Sequence, residues 1–588
     1  MTSENELIDF LKKHKVFALD TETYGLEHQD DAFAVFLWTE SNKTNYHYFA
    51  YHAGEPEKFR KITGIFNEHL TKEHTMIMHN ASFDLVMLMK SGLTNLKFQI
   101  YCTLIMEKFL YNEHASYTLA ACAARPRACS TETAGHYAAL QLKKDDRVAE
   151  YIKANKLYGK TSKGTRKPLY NKVPLDLLID YGLRDAKLTW KLWLIQGRGS
   201  RDGVAPFDWK AQMITVKAMA KAQMRGVKVD RNYACELRSK IEYELNQAVH
   251  SMGKWTKTPY KAGPKWLAAT FEENNIPCES NPDTGNPVFD KKALQRLDHP
   301  IAKSILRMRS LQSKNNNYLT TILNNDVSTI HAGFNTFGTV TGRFSCTDPN
   351  LQNLPKNSDF PDIRRCYRAR HGMKFACIDY SQQEFRLAAD YACMNDVIDQ
   401  IRNGEDIHAN VGDRLGVDRD MGKTLNFAIL YGTGPEKLGD MLGCSKLQAS
   451  KHLQRYFNSY PKMRRFIDMT AAEAIRNGYI ETYGGRRLYF ENHSQAYKAV
   501  NYKIQGGCAD IIKRAIWMVN GYIEGKDRKI NLLLQIHDEL IFEVPHDYRM
   551  EQMQPIINLM TIAYTPIRLP MQCTLKFCAT LSKTDEYP

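Results

Sequence analysis

None of the thirteen cysteines stands in a CxxC pair; they are scattered from Cys102 to Cys578. That pattern excludes a zinc ribbon and a dithiol redox motif, and in a long chain it points to a reducing compartment. No stretch approaches the uninterrupted apolar length needed to span a membrane. The opening Met1-Thr2-Ser3-Glu4-Asn5-Glu6 has no apolar run behind a basic start, against a secretory signal, and its early acids argue against a transit peptide. No internal repeat or low-complexity tract is present. The expectation is a soluble, cytoplasmic protein with no membrane partner. Acid is scarcer than base: 80 Lys and Arg against 65 Asp and Glu leave a net charge of +15. A surplus of that sign favours a polyanionic partner, because Lys and Arg displace counterions from phosphates. The 588 residues, 43% apolar, are enough for three to five domains with cores of their own.

The first segment, to about residue 200, reads as mixed α/β. Val16-Phe17-Ala18-Leu19 is an apolar run ending in Asp20, and Thr75-Met76-Ile77-Met78 another ending in His79-Asn80. Between Asn155 and Lys172 lies a basic, acid-free stretch with Lys156, Lys160, Lys163, Arg166 and Lys167; Gly159, Gly164 and Pro168 make it read as a loop. Gly197, Gly199, Gly203 and Pro206 mark a domain boundary. Helical periodicity dominates from Trp209 to about Asn325, broken at Asn281-Pro282-Asp283-Thr284-Gly285. Strand-like runs return around Lys374–Ile378 and Asn531–Val544, with a long helical block at about 395–475 between them.

In Asp20-Thr21-Glu22 the period of two puts both carboxylates on one side of an extended end, where they repel unless a cation sits between them. One such pair is a weak signal. It gains from His79-Asn80-Ala81-Ser82-Phe83-Asp84, and again from Tyr181-Gly182-Leu183-Arg184-Asp185, where Tyr181 and Asp185 share a helix face. The order DxE, HNxxFD, YxxxD resembles the three motifs of the DEDDy group of 3′–5′ exonucleases over roughly residues 10–195. The resemblance implies an RNase-H-like domain in which Asp20, Glu22, Asp84 and Asp185 hold two divalent ions and Tyr181 orients the attacking water. Oxygen ligands of this kind suit Mg²⁺, with Mn²⁺ possible. One position departs: Cys102-Thr103 stands where that group often has Asp-Thr.

Phe375-Ala376-Cys377-Ile378 ends in Asp379 and continues Tyr380-Ser381-Gln382-Gln383-Glu384-Phe385-Arg386. Leu532-Leu533-Leu534-Gln535-Ile536 leads to His537-Asp538-Glu539 and on to Val544, which reads as two strands joined by a tight turn with acids at its tip. Acids at strand ends can share ions where the strands pair. In the intervening helix Arg419, Lys423, Phe427 and Tyr431 recur every four residues and form one stripe. Cations then aromatics suit a nucleoside triphosphate, the charges meeting phosphates and the rings lying under sugar and base. Gly416 to Gly422-Lys423-Thr424 imitates a P-loop, but its spacing is one residue too long and the helix pattern runs through it, which excludes a Walker ATPase.

These segments resemble motifs A, B and C of family-A DNA polymerases, and the matches cover about 210–588. Further resemblance lies in Thr341-Gly342-Arg343-Phe344-Ser345, in Asp348-Pro349-Asn350-Leu351-Gln352-Asn353, in Asp406-Ile407-His408, and in Asn501 to Lys513. It implies that Asp379, Asp538 and the carbonyl of Tyr380 hold two Mg²⁺ ions, and that His408, Arg419, Lys423, Phe427 and Tyr431 bind the nucleotide. Glu384 would pack with Tyr431 and block a ribose 2′-hydroxyl. Arg343, Asn350, Gln352, Asn353, Asn501, Gln505 and His537 would contact primer–template DNA. Tyr497 stands where the family usually has Arg, which puts one primer-side contact in doubt. Undamaged motifs argue against a nuclease-only protein, two acid constellations against a DNA-binding scaffold, and Glu384 with the exonuclease motifs against an RNA polymerase.

The expected fold is α/β plus α: an RNase-H-like exonuclease domain (1–200), then a right-hand polymerase with thumb (207–330), first palm part (331–400), fingers (401–495) and second palm part (496–588). The expected activity is DNA-templated addition of dNTPs with 3′–5′ proofreading by a monomer. The motifs begin at Asp20, so the expectation is a compact, phage-type replicase without a 5′-nuclease domain, working in a host cytoplasm.

Overall fold

The computed structural model describes residues 3–25, 30–41, 45–124, 147–160, 166–197, 206–255, 263–324, 328–355, 362–563, 568–582 and 584–587. Contacts divide the chain into two units. One comprises Met1–Arg225, Phe334–Ser345 and Cys377–Leu575; the other comprises Gly226–Gly333, Cys346–Ala376 and Lys576–Pro588.

The first unit opens with a five-stranded mixed sheet in the order β3-β2-β1-β4-β5: β1 Val16–Thr23, β2 Ala32–Glu40, β3 Tyr46–His52, β4 Thr75–Met78 and β5 Gln99–Cys102. β1 pairs antiparallel with β2 and parallel with β4. Nearly every residue of β1 and β2 is buried, because helices cover the sheet, and strands buried on both faces read as continuous apolar runs. The helix Leu175–Ile195 packs on β1 and β2. Gly182 makes that approach possible: a Cβ there would stand 2.2 Å from the ring of Phe36. Asp20 is the register partner of Phe36, so the residues flanking Gly182 are brought over the acidic end of β1.

Within the basic stretch expected as a loop, two short strands pair antiparallel, β6 Tyr158–Lys160 with β7 Arg166–Pro168. The sequence signal missed it because strands of three residues carry no readable alternation. The Arg166 guanidinium lies 3.4 Å from the centre of the Tyr158 ring, and Lys167 forms an ion pair with Asp30 at 2.9 Å. Lys163 and Gly164 lie outside the described residues, as do Gly199 and Gly203 of the expected boundary.

Later in this unit, the strands Asn531–Ile536 and Glu539–Pro545 form a hairpin in a sheet with residues 377–380, the end of the strand Met373–Tyr380. His537 and Asp538 make the turn, with His537 at φ +56°. Helices from Asn395 to Asn477 occupy the expected helical block. Gly416 ends one of them in the left-handed conformation, φ +65°, and Lys423 and Thr424 sit inside the next, Arg419–Leu430. The helix pattern does not run unbroken through this stretch as expected: the apparent P-loop is a helix stop followed by a new helix.

The second unit packs the helices Arg231–Met252, Pro264–Glu273 and Pro300–Lys314 around Met252, Leu267, Phe271, Ile305 and Met308. The expected break falls at a turn in which the Asn281 side chain accepts from the N–H groups of Asp283 and Thr284. This stretch also holds the strand Val227–Val229, central in a three-stranded sheet, which periodicity did not show. Among the described residues no helix is long and apolar enough to cross a membrane.

Candidate active sites

The acids of the three exonuclease-like motifs are gathered in one place. Asp20, Glu22, Asp84 and Asp185 lie close enough to perturb one another. Burial, then the charge of Asp185 and its neighbours, pushes Asp20 well above the ordinary carboxylate range. Burial, Asp185 and Asp84 raise Glu22 to about 8. Burial raises Asp84 to about 7, against a hydrogen bond from Thr21 Oγ1 to its Oδ1 at 2.8 Å. Tyr181 stands over this group, its phenol pushed up by burial and then by Asp185, Glu22, Tyr170 and Asp20. The ring of Tyr170 lies near-parallel to that of Tyr181 at 6.1 Å. Thr21 and Tyr170 escaped the sequence reading: Thr21 had no signal of its own between the acids, and Tyr170 lies in a three-residue helical turn.

The remaining motif residues brace the site. His79 contacts Thr103 Oγ1 through Nδ1 and the Tyr117 carbonyl through Nε2, both at 2.9 Å. The departure at Cys102 is accommodated: its buried sulfur accepts the N–H of Ala81 at 3.4 Å, at the start of the helix that carries Asp84.

The second site is built on the strand Met373–Tyr380 and the 531–545 hairpin. The Tyr380 N–H donates to the Asp538 carbonyl at 3.2 Å, which brings Asp379 beside the hairpin turn. Burial, then Asp379, raises Asp538 to about 7, with smaller contributions from Glu384 and Glu539. The phenol of Tyr380 is buried and donates to the Met560 carbonyl at 2.7 Å. Glu384 accepts from Tyr431 at 2.8 Å and is ion-paired with Arg343.

Along the helix Arg419–Leu430, Arg419 and Lys423 are exposed and Phe427 is half-buried; Tyr431 caps its end, 43% exposed, its ring near-parallel to Phe427 at 6.2 Å. The stripe is thus the open face of this helix. Arg419 donates to Asp406 at 2.7 Å. Burial works against the Asp406 charge, yet Arg419 and two backbone N–H groups hold that carboxyl below its usual range. His408 is buried; the Asn426 amide donates to its Nδ1 at 3.0 Å, which leaves Nε2 to carry the proton, and Tyr456 donates to Asn426 Oδ1 at 2.9 Å. Asn426 and Tyr456 were not expected, because a buried Asn and Tyr give no signal distinct from ordinary helix interior.

Asn501 and Gln505 share a face of the helix Ala499–Gly525, and Gln505 Oε1 accepts from Thr341 Oγ1 at 3.4 Å. His537 is exposed in the hairpin turn. Asn350, Gln352 and Asn353 belong to the second unit. There the Asn350 side chain caps a short helical turn, Gln352 is buried, and the Asn353 carbonyl accepts from Tyr318 at 2.8 Å.

Both acid groups fit divalent cations by donor chemistry. Crowded carboxylates, with Asp20, Glu22 and Asp84 raised in proton affinity at one site and Asp538 at the other, carry a repulsion that a hard cation relieves, and hard cations prefer oxygen. Among the described residues no group of three or more His, Cys, Asp or Glu side chains stands where together they could hold a metal ion.

Fold and sites together are those of an exonuclease-type domain followed by a polymerase-type domain. The 3′–5′ exonuclease family model matches residues 2–194 and the DNA polymerase family A model matches residues 231–583. The chain belongs to DNA polymerase family A and carries a 3′–5′ exonuclease domain. It is 31% identical over 383 residues to the thermostable DNA polymerase I of Thermus thermophilus, covering 60% of this chain and 46% of that one. It is 29% identical over 436 residues to DNA polymerase I of Pseudomonas aeruginosa, covering 68% and 47%. The chain thus spans about half the length of these curated relatives. Its fold is similar, with a TM-score of 0.79, 23% identity and 99% of each chain covered, to a structure described as the POL domain of Pol1 from M. smegmatis in complex with DNA primer-template and dNTP. These relatives are bacterial, which lends no support to a phage setting.

Proposed function

We propose that this chain extends a primer 3′ end with dNTPs on a DNA template at the site of Asp379 and Asp538, and removes 3′-terminal nucleotides at the site of Asp20, Glu22, Asp84 and Asp185. The observation that carries the reading is the pair of acid groups on one chain: Asp20, Glu22, Asp84 and Asp185 mutually perturbed at one site, and Asp538 perturbed by Asp379 at the other. The thumb is assigned to 207–330, the palm to 331–400 and 496–588, and the fingers to 401–495.

Asp379, Asp538 and the Tyr380 carbonyl would hold two Mg²⁺ at the polymerase site, and the four exonuclease acids two more. When bound, the ions supply Lewis-acid activation of the attacking oxygen and neutralise the leaving oxygen. In extension, the primer 3′-oxygen bonds to the α-phosphorus, the bond to the β-phosphate oxygen breaks, and pyrophosphate leaves. Arg419 and Lys423 meet the triphosphate, so Arg419 exchanges Asp406 for phosphate when a nucleotide arrives. Buried His408 offers its Nε2 proton to a phosphate oxygen. Phe427 and Tyr431 support sugar and base. Glu384, held between Arg343 and Tyr431, fills the place a 2′-hydroxyl would need. Asn501 and Gln505 present amides to the minor-groove acceptors shared by every base pair, which tests pair shape rather than sequence. Arg343, His537, Asn350, Gln352 and Asn353 complete the DNA contacts. In excision, Tyr181 orients a water whose oxygen bonds to the terminal phosphorus, the bond to the preceding 3′-oxygen breaks, and a nucleoside 5′-monophosphate leaves.

The test is extension by Asp379→Ala. It should lose nucleotide addition while single-stranded DNA is still shortened from its 3′ end; retained extension overturns the assignment.

A further inference from the structure

Arg486 is among the largest fully buried side chains. It lies at the foot of the hairpin Tyr479–Glu481 with Arg487–Tyr489. Its partner is Asp510 on the helix Ala499–Gly525, Nε to Oδ1 at 3.0 Å, and both side chains are 1% exposed. Desolvating two charges offsets most of what their attraction returns, so such a pair is better read as fixing a geometry than as adding stability.

The geometry concerns one turn. Arg486 also donates to the carbonyls of Thr341 at 2.8 Å and Gly506 at 3.2 Å. Thr482 donates to the other oxygen of Asp510. Gly342 has φ +83°, and a Cβ there would stand 3.0–3.1 Å from the guanidinium. The guanidinium therefore lies close beneath the turn, so a side chain at Gly342 would press on it as well as hold a strained backbone angle. The turn is closed by Gly338 N–H to the Arg343 carbonyl at 2.8 Å and Arg343 N–H to Thr339 Oγ1 at 3.0 Å. Its last residue, Arg343, is the one that pairs with Glu384, and Glu384 accepts from Tyr431. A continuous set of contacts thus runs from buried Arg486 through the Thr341–Arg343 turn to the carboxylate beside the nucleotide stripe.

We propose that Arg486 is a positioning residue for sugar selection: it sets the Thr341–Arg343 turn so that Arg343 holds Glu384 where a ribose 2′-hydroxyl would lie. This rests on the reading of Glu384 as the group that excludes the 2′-hydroxyl. Lys at this position keeps the charge but loses the planar fork that reaches Asp510 and two carbonyls together.

The experiment compares kcat/KM for dNTP and rNTP in the wild type, Glu384→Ala, Arg486→Lys, Arg343→Ala and the Arg486→Lys/Arg343→Ala double variant. Arg486→Lys should lower dNTP-over-rNTP selectivity on the order of tenfold, and the double variant should be no less selective than Arg343→Ala alone, since both changes act through one contact. Removal of 3′ nucleotides from single-stranded DNA by Arg486→Lys should match the wild type, which a general loss of structure would not allow. If Arg486→Lys does not fold, Gly342→Ala presses the turn from the other side while keeping the Arg486–Asp510 pair, and the same loss is expected. Wild-type selectivity in a folded Arg486→Lys or Gly342→Ala, or losses that multiply in the double variant, overturns the proposal while Glu384→Ala still loses selectivity. Unchanged selectivity in Glu384→Ala overturns the reading of Glu384, and the proposal with it.

Discussion

Removing divalent ions should make the stability of this protein fall as pH rises from 6 to 8, and Glu22 should be a main cause. Its carboxyl is raised from 4.5 to about 8, chiefly by burial and then by Asp185 and Asp84; Asp84 is raised to about 7, chiefly by burial. A carboxyl whose proton affinity is higher folded than unfolded makes the native state hold a proton that the unfolded chain has released. The native state then binds more protons between the two values, so stability drops with rising pH across that window and is recovered below it. Each such group costs about 1.4 kcal/mol per pH unit within its window. Between pH 6 and 8 Glu22 stays within its window throughout and Asp84 over the lower half, a loss on the order of 4 kcal/mol for the two together. A divalent cation replaces the protons and removes the penalty, so its stabilisation should be larger at pH 8 than at pH 6. The assay is thermal unfolding at both values with EDTA and with Mg²⁺, on the wild type and on Glu22→Gln, which is neutral at both. The metal-free wild type should melt several degrees lower at pH 8, and Glu22→Gln should flatten that slope. Equal melting temperatures at the two pH values without metal, or an undiminished slope in Glu22→Gln, would refute the reasoning.

Tyr181→Phe should keep the ring beside Tyr170 but lower 3′ excision by about 10²-fold or more through loss of the hydroxyl that orients water, with extension unchanged; single-turnover digestion of a labelled oligonucleotide measures it. Tyr456→Phe removes the donor to buried Asn426 and should cost about 1–3 kcal/mol of stability and raise the KM for dNTP by loosening His408, read by denaturant unfolding and steady-state kinetics. Arg419→Ala should raise the KM for dNTP without altering 3′ excision, because its partners, Asp406 and the expected phosphates, lie at the polymerase site alone; a proportional fall in both activities would point to misfolding instead.

The parts of this molecule legible in the sequence are those where chemistry and periodicity coincide. Asp20 and Glu22 end an apolar run because buried strands must be apolar until they reach the site, and the Arg419–Tyr431 stripe shows because an exposed helix face repeats every four residues. The hairpin carrying Asp538 announced itself by two apolar runs around His537. What stayed hidden depends on contacts between distant segments. Gly182 reads as a weak point in a helix until Phe36 is found beneath it. Arg486 reads as a surface cation in a basic chain until Asp510 and the Thr341 carbonyl close around it. Asp406 was visible beside His408, but not its hold on Arg419. The paired strands β6 and β7 are too short for any pattern, and the glycines of the stretch argued for a loop.

The most direct test of the account is a single gel. A 5′-labelled primer on a longer template is incubated with the protein and Mg²⁺, with and without dNTPs, and products are resolved by length. The account predicts lengthening with dNTPs and 3′ shortening without them. Shortening in both conditions, with no extension, would contradict the polymerase assignment of Asp379 and Asp538; extension with no shortening would contradict the role given to Asp20, Glu22, Asp84 and Asp185.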